Sequence, residues 1–345
     1  MNKAQPPWQK KSFAIIPWPY SRDGASVMKR RFLTAARKLG YWVAPSWLVG
    51  RTQPCLFIGH RRQDKLLKTS RYLVYSVAGM YLEDHFRRIG EVYGDRSFRP
   101  EYLVTNQEIL DALTRADFVI YQSAWSKRNL DTLCKRPDNT WEIIHNAAPL
   151  DVFKPRPDWL DRVPDRPVIG AVGAMRTRPR LEVFFDVVRR LSVRPRLLLV
   201  GNLDHYCQSA LDKARADPYW RDSITHFKSV PPNTLVNYYQ QMDCLLHPVV
   251  GDSCPNVVVE ALGCGVPVVC PLEGGTSELV GPGGVSVFDT DILYGEMLRA
   301  GLAQGIETVL ANLPYYRQQA RTQAEKNSSM DVVAPRFLKA IGFPV

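Results

Sequence analysis

The stretch Asp252-Ser-Cys-Pro-Asn-Val-Val-Val-Glu260-Ala-Leu-Gly-Cys-Gly265-Val-Pro267-Val-Val decides the fold of this chain. An apolar run over residues 244–249 precedes it and predicts a buried strand. Pro255 suits the first position of a helix, which the apolar pattern extends over residues 255–263. A second apolar run over residues 266–270 predicts the next strand. The stretch therefore predicts a strand–helix–strand unit of a parallel sheet.

The polar residues of this unit suggest a binding site for a nucleotide. Asp252 lies in the loop before the predicted helix, whereas Asn256 and Glu260 are four residues apart and share one helix face. The amides at the helix start, Cys254 among them, favour a phosphate group. Glu260, further inside the helix, is suited to accept hydrogen bonds from the hydroxyls of a ribose. An ordinary strand-to-helix turn with a solvated acid remains the alternative.

The same alternation of apolar runs and helical patterns extends through the chain and predicts two doubly wound α/β halves. The predicted strands are 12–18, 41–47, 55–59, 72–77, 118–123 and 141–145, then 168–172, 196–201, 224–230, 244–249, 266–270 and 285–288. The predicted helices are 26–39, 102–115 and 125–136, then 181–191, 206–216, 234–242, 255–263, 291–313 and 330–341. A proline-rich stretch, 149–166, separates the halves and predicts a linker.

Length, charge and cysteine usage set the class of protein. The chain has 345 residues, which favours two domains because one hydrophobic core stops growing at about 250–300 residues. Residues 1–150 contain 24 Lys and Arg against 13 Asp and Glu, whereas the rest of the chain is balanced at 21 against 21. The first half therefore favours an anionic partner. The seven cysteines form no CxxC pair, which favours a reducing cytoplasm over a zinc site or a disulfide framework.

The deciding stretch resembles the C-terminal signature of the retaining family 4 glycosyltransferases of the GT-B fold. That signature is Glu-x7-Glu, then Ala-x-Ala-x-Gly-x-Pro-Val-Val, then a Gly-Gly turn. Glu260-Ala261, Gly265-x-Pro267-Val268-Val269 and Gly274-Gly275 match it, whereas Asp252 stands where the first Glu is expected and Gly263 replaces the second Ala. Residues 116–127, 145–155 and 17–39 resemble further segments of the family, so the resemblance covers most of the chain.

The resemblance implies an α/β GT-B fold with two Rossmann-like doubly wound domains that face a central cleft. An acceptor-binding domain over 1–148 and the linker would precede a nucleotide-sugar-binding domain over 167–328, and the segment 329–345 would cross back to the first domain. In the family an Arg and a Lys clamp the donor diphosphate. Arg176 and Arg180 are the preferred counterparts here, although three solvated arginines in a loop, with Arg178 as the third, are the alternative.

The implied catalytic residues are Arg176, Arg180 and Asp252. The implied donor-binding residues are Gly24, Ser253, Cys254, Asn256, Glu260, Gly274, Gly275 and Thr276, and no metal ligand or cofactor is expected. One departure falls in the first half, where relatives often carry an Asp that contacts the transferred sugar and this chain has Ala78. Together with Asp252, this change keeps a catalytically silent sugar- or nucleotide-binding homologue as the alternative function.

The expected function is therefore a cytoplasmic, metal-independent, retaining hexosyltransferase that uses a UDP- or GDP-sugar. Its acceptor is expected to be a saccharide or a lipid-linked group. The basic half is further expected to bind an anionic membrane surface, at the inner face of the membrane. The chain has no G-x-G-x-x-G or Walker sequence, which argues against redox and ATPase chemistry. Asp289-Thr290-Asp291 is a DxD sequence, but Asp291 is expected to cap a helix. The absence of a recognised motif argues against nucleic acid.

Overall fold

The computed structural model describes residues 11–16, 24–45, 54–59, 72–77, 87, 90–91, 101–175, 178–288 and 294–344. The chain divides into two compact units. The first comprises Met1–Tyr81, Arg99–Pro149 and Asn327–Val345, and the second comprises Leu82–Phe98 and Leu150–Lys326.

The first unit contains a six-stranded parallel sheet in the order β2-β1-β3-β4-β5-β6. Its strands are β1 (Ser12–Ile16), β2 (Trp42–Pro45), β3 (Cys55–Ile58), β4 (Leu73–Val77), β5 (Phe118–Tyr121) and β6 (Trp141–Ile143). Every residue of β1, β3 and β4 is buried, which is the pattern of a parallel sheet covered on both faces. All six strands predicted in this half are present.

Among the described residues of the first unit, three helices connect these strands: α1 (Gly24–Lys38), α2 (Glu101–Arg115) and α3 (Ala124–Asp131). Ser123 begins α3 with a capping box, in which its side chain accepts from the Ser126 amide and the Ser126 hydroxyl oxygen accepts from the Ser123 amide. Thr132 is the C-cap of α3, so the helix is shorter than the predicted 125–136.

The last helix of the chain, α11 (Met330–Ala340), belongs to the first unit. Its Phe337 ring packs 5.1 Å from the ring of Phe32 in α1. The Met330 amide donates to the Ala148 carbonyl at 3.0 Å, and Arg336 pairs with Glu142 at 2.8 Å. The chain thus returns to the first unit after it has completed the second.

The second unit contains another six-stranded parallel sheet, in the order β12-β11-β10-β7-β8-β9. Its strands are β7 (Val168–Val172), β8 (Arg196–Val200), β9 (Ile224–Phe227), β10 (Cys244–Leu246), β11 (Val268–Pro271) and β12 (Gly284–Val287). Strand β10 lies between β7 and β11, so the loop that follows it leaves from the middle of the sheet.

The described helices in the longer segment of the second unit are α4 (Arg178–Arg189), α5 (His205–Ala216), α6 (Leu235–Tyr239), α7 (Asn256–Gly263), α8 (Thr276–Val280), α9 (Glu296–Ala311) and α10 (Leu313–Asn327). The sequence patterns did not predict α8 or α10. Helix α8 has only five residues, which is too short for a periodic pattern. Helix α10 buries residues at helical spacing, but most of them are charged or small, so the sequence shows no apolar pattern there; they are Leu313, Arg317, Ala320 and Ala324.

The proline-rich stretch predicted as a linker lies mostly in the second unit, whose longer segment begins at Leu150. Phe153 is buried there, and the ring of Trp159 occupies the space in which a Cβ on Gly265 would lie, 2.5 Å away. Gly265 has a φ of +69°, a left-handed conformation that glycine adopts readily. Within the described ranges, no helix is long and apolar enough to cross a membrane.

Candidate functional site

Two loops meet at the carboxyl ends of the neighbouring strands β10 and β11. The Gly251 amide donates to the Glu273 carbonyl at 3.0 Å, and the Gly275 amide donates to the Asp252 carbonyl at 2.8 Å. A Cβ on Gly274, whose φ is +132°, would lie 3.1 Å from the Asp252 carbonyl oxygen. Glycine at position 274 therefore allows the two loops to approach this closely. Ligands of open α/β sheets bind at this edge of the sheet.

Helix α7 begins at the same place. Its N-cap is Pro255, which has an extended conformation and makes no side-chain capping bond. The helix then buries Val258, Ala261 and Leu262 completely, so its position against the sheet is fixed by apolar packing. A helix start of this kind carries partial positive charge and favours an anion.

Asp252 is ionised at the start of this helix. Partial burial of its carboxyl, whose side chain is 31% exposed, opposes ionisation, but His247, Arg180 and the Cys254 amide outweigh that effect and hold the pKa below its usual value. Nε2 of His247 lies 3.7 Å from Oδ2 of Asp252, and the Cys254 amide donates to Oδ1 at 3.3 Å. The Cys254 amide, expected to bind a phosphate, thus makes this bond within the loop.

Arg180 brings positive charge to this carboxylate. It lies in the first turn of α4, which follows β7, the other neighbour of β10. Its Nη1 donates to the Ala174 carbonyl at 3.1 Å, and its charge contributes to the lowered pKa of Asp252. The β7–α4 loop also adjoins α7, because a Cβ on Gly173 would lie 3.6 Å from Cγ1 of Val257. Arg176, the other expected arginine, lies outside the described residues.

Glu260 lies inside α7 and is only 4% exposed. Its Oε2 accepts a hydrogen bond from the hydroxyl of Tyr239 at 2.8 Å, and Tyr239 itself is fully buried. Tyr239 therefore fixes the orientation of the carboxylate. The sequence did not identify Tyr239 as a site residue, because an aromatic residue in a short helix resembles an ordinary core residue.

Thr276 begins α8 directly after the Gly274-Gly275 turn. It is completely buried, and in the part of the chain that the structure describes its hydroxyl has no hydrogen-bond partner. Ser277, the next residue, donates from its hydroxyl to the Leu272 carbonyl at 2.9 Å. The side chain of Ser277 thus stabilises the Gly-Gly turn, and the hydroxyl group of Thr276 is buried at the end of the turn.

The second unit brings most of the expected site residues to one edge of its sheet. Asp252, Ser253, Cys254, Asn256 and Glu260 lie in the β10–α7 segment, and Gly274, Gly275 and Thr276 lie in the β11–α8 segment. Arg180 adjoins them. Gly24 is the first residue of α1 and belongs to the first unit.

His247 is a site residue that the sequence analysis missed. Its position directly after a buried strand could have identified it, because loops at carboxyl strand ends carry ligand-binding residues. Ala78, Asp289 and Asp291 lie outside the described residues. Among the residues described, no cluster of three His, Cys, Asp or Glu side chains could hold a metal ion.

Several solved structures of other proteins resemble this chain over nearly its whole length. The chain is similar to the structure of sucrose-phosphate synthase from Thermosynechococcus elongatus, with 16% identity and a TM-score of 0.70 over 95% of this chain and 98% of that one. Anabaena HepE, solved with UDP and glucose, has 14% identity and a TM-score of 0.69 over 97% and 100%. WaaG, a glycosyltransferase involved in lipopolysaccharide biosynthesis, has 13% identity and a TM-score of 0.63 over 96% and 100%.

These likenesses define the fold, which is the GT-B fold of the glycosyltransferases. Residues 166–312 match the family model described as Glycosyl transferases group 1. The chain therefore has the GT-B fold, and the segment that matches the glycosyl transferases group 1 model lies within its second unit. No curated protein sequence matches the chain significantly.

Proposed function

We propose that this protein transfers a hexose from a UDP- or GDP-sugar to an acceptor, with retention of the anomeric configuration and without a metal ion or cofactor. The observation that carries the proposal is the meeting of Asp252, Arg180 and the start of α7 at the carboxyl end of β10. The neighbouring Glu260, held by Tyr239, adds a second carboxylate to the same segment. The match of the second unit to a glycosyltransferase family supports this assignment.

The reaction breaks the bond between the anomeric carbon and a phosphate oxygen, and the electron pair stays on the departing nucleoside diphosphate. Arg180 and the helix start of α7 would stabilise that developing charge. The oxygen of the acceptor hydroxyl bonds to the anomeric carbon, and its proton passes to the departing diphosphate oxygen. Arg180 and the helix start would thus stabilise the charge of the leaving diphosphate, as a metal ion does in other transferases.

Each other expected residue has a place in this proposal. Glu260 would accept hydrogen bonds from the nucleotide ribose, and Asp252 would lie near the sugar and the phosphates. Ser253, Cys254, Asn256, Gly274, Gly275 and Thr276 would line the donor, with the buried Thr276 hydroxyl as a donor or acceptor for it. Arg176 would pair with Arg180 at the diphosphate. Gly24 would take the role of the family's glycine loop.

A panel of NDP-sugars tests this proposal and separates it from a silent homologue. We expect the purified protein to hydrolyse at least one UDP- or GDP-sugar slowly in the absence of acceptor. The absence of one hydrogen bond of about 2–3 kcal/mol to the sugar at position 78 would lower the rate by roughly 30–150-fold, since about 1.4 kcal/mol corresponds to one decade. Nucleotide binding without hydrolysis or transfer across the panel would establish the silent homologue instead.

We further propose that the first unit binds the acceptor, a saccharide or lipid-linked group, at the cytoplasmic face of an anionic membrane. Arg37 and Lys38 end α1 and are exposed, whereas Arg31 in the same helix donates to the Ala147 carbonyl at 3.1 Å. The excess positive charge of residues 1–150 gives the proposal its second basis.

Vesicle flotation checks the membrane proposal. Each cation near an anionic leaflet adds about 1 kcal/mol, so Arg37→Gln with Lys38→Gln should reduce binding to anionic vesicles measurably at low salt. Equal flotation with neutral and anionic vesicles would refute the membrane proposal.

A further inference from the structure

A notch lined by three arginines lies in the second unit at the carboxyl end of α7. Arg156, Arg162 and Arg317 line it, together with Cys264 and Gly265, which follow the last residue of the helix. The donor-site loops lie at the opposite end of α7. The eight residues of this helix separate its two ends by about 12 Å at 1.5 Å per residue.

Two of the three arginines share one buried carboxylate. Asp243 is completely buried, and its Oδ1 accepts from Nη2 of Arg317 at 2.7 Å and also from Nη2 of Arg162. Its other oxygen accepts from the Val168 amide at 2.9 Å. One negative charge therefore compensates only one of the two positive charges at the inner end of the notch.

The third arginine extends the positive charge toward water. The side chain of Arg156 is 40% exposed, that of Arg162 is 20% exposed and that of Arg317 is 4% exposed. Nε of Arg156 pairs with the exposed Asp158 at 2.5 Å. Among the described residues, both terminal nitrogens of Arg156 and Nη1 of Arg162 have no acceptor. Three guanidinium groups thus face two carboxylates, with hydrogen-bond donors to spare.

The notch is shallow and opens to solvent. The space inside it is about 10 Å³, room for about one water molecule, so a small anion would lie at its mouth, against Arg156 and Arg162. Its walls are rigid, because Trp159 packs directly on Gly265 and Tyr239 is fully buried. Burial lowers the pKa of Arg317 most, Asp243 opposes that shift, and the charges of Arg162 and Arg156 add to it in smaller measure, so an anion at the mouth would offset part of their repulsion.

We propose that this arginine notch is a second binding site of the protein, specific for the phosphate group of a small molecule or for free phosphate. Planar guanidinium groups with unused donors are the side chains best suited to hold a phosphate by paired hydrogen bonds. The site is independent of the donor diphosphate, which the proposed function places at the other end of α7. Arg156 and Arg162 would make the contacts with the anion, and Arg317 would supply charge from behind them.

Calorimetric titration tests the site with the full chain saturated with UDP, so that the donor site is filled. The probes are inorganic phosphate and glycerol phosphate, and the preferred probe identifies the free ion or the ester as the natural ligand. We expect one bound anion, and Arg156→Gln should weaken its binding about fivefold or more, because Arg156 retains two donors for it. Arg215→Gln, which removes an exposed cation of α5, is the matched control and should bind as the parent does.

An Arg180→Gln background covers the case in which UDP does not bind, because it removes an arginine of the proposed donor site that could hold phosphate. Phosphate binding that survives in this background and weakens with Arg156→Gln supports the notch even if the proposed function fails. Absence of phosphate binding in the parent, or equal binding by the parent and Arg156→Gln, would overturn the proposal. Circular dichroism of Arg156→Gln checks that its fold is retained.

Discussion

Replacement of Arg180 by alanine should lower donor turnover by about 100-fold or more. The reason is that departure of a nucleoside diphosphate concentrates negative charge, and removal of one fixed group that stabilises such charge costs about this factor. Arg180 stands close enough to Asp252 to lower its pKa, which places positive charge beside the start of α7. The rate of nucleotide release from the preferred NDP-sugar, measured without acceptor, gives this factor directly.

Arg215→Ala is the control for this experiment, because it removes an exposed arginine of the same unit from a different helix. It should leave the rate unchanged. If Arg180→Ala retained the parent's rate and its affinity for the sugar nucleotide, Arg180 would have no part in the reaction. The stabilisation of the leaving group would then fall to Arg176 or to the helix amides.

Replacement of Asp243 by alanine should reduce the free energy of unfolding of the second unit by about 3–5 kcal/mol. Removal of one partner from a buried ion pair leaves the other charge uncompensated, which costs about this much. Here Arg317 is 4% exposed and would lose its carboxylate, and the Val168 amide at the start of β7 would lose its acceptor. Urea unfolding followed by circular dichroism measures the change.

Asp158→Asn is the matched control, since Asp158 is an exposed carboxylate that pairs with Arg156 in the same region. Exposed ion pairs contribute little, so the control should unfold as the parent does. An Asp243→Ala protein as stable as the parent would show that water or a shifted side chain compensates the two arginines.

The sequence predicted every strand of both sheets, and most of them are continuous apolar runs between polar loops. A parallel sheet covered on both faces leaves this pattern wherever it occurs, as in residues 55–58 and 268–271. Helix α10 was not predicted because, beyond Leu313, its inward face consists of one charged side chain, Arg317, and two small ones, Ala320 and Ala324. The pairing of Arg317 with Asp243, 74 residues away along the chain, stabilises that face, and no local pattern encodes it.

The candidate site, like the fold, was predicted only in part. The motif 252–275 located the loops, because their residue types are required for a tight approach of the backbone and for a helix start. The partners of those residues were not apparent, since His247 and Tyr239 meet Asp252 and Glu260 only when the chain folds. The effect of the His247 contact on the pKa of Asp252 likewise depends on a distance that the sequence does not contain.

The central claim is that the carboxyl end of β10 and the start of α7 bind the nucleotide of a sugar donor. Calorimetric titration of UDP and GDP into the parent protein and into Glu260→Ala tests it most directly. Tyr239→Phe is the control, because it removes the internal hydrogen bond to Glu260 but leaves the carboxylate for the ribose.

We expect one of the two nucleotides to bind the parent at a single site. Glu260→Ala should weaken that binding by about 1.5–3 kcal/mol, the size of a hydrogen bond to a charged group, and Tyr239→Phe by less. Circular dichroism shows whether each variant is folded. Equal nucleotide affinity in the parent and in a folded Glu260→Ala protein, or no binding of either nucleotide to the parent, would contradict the account.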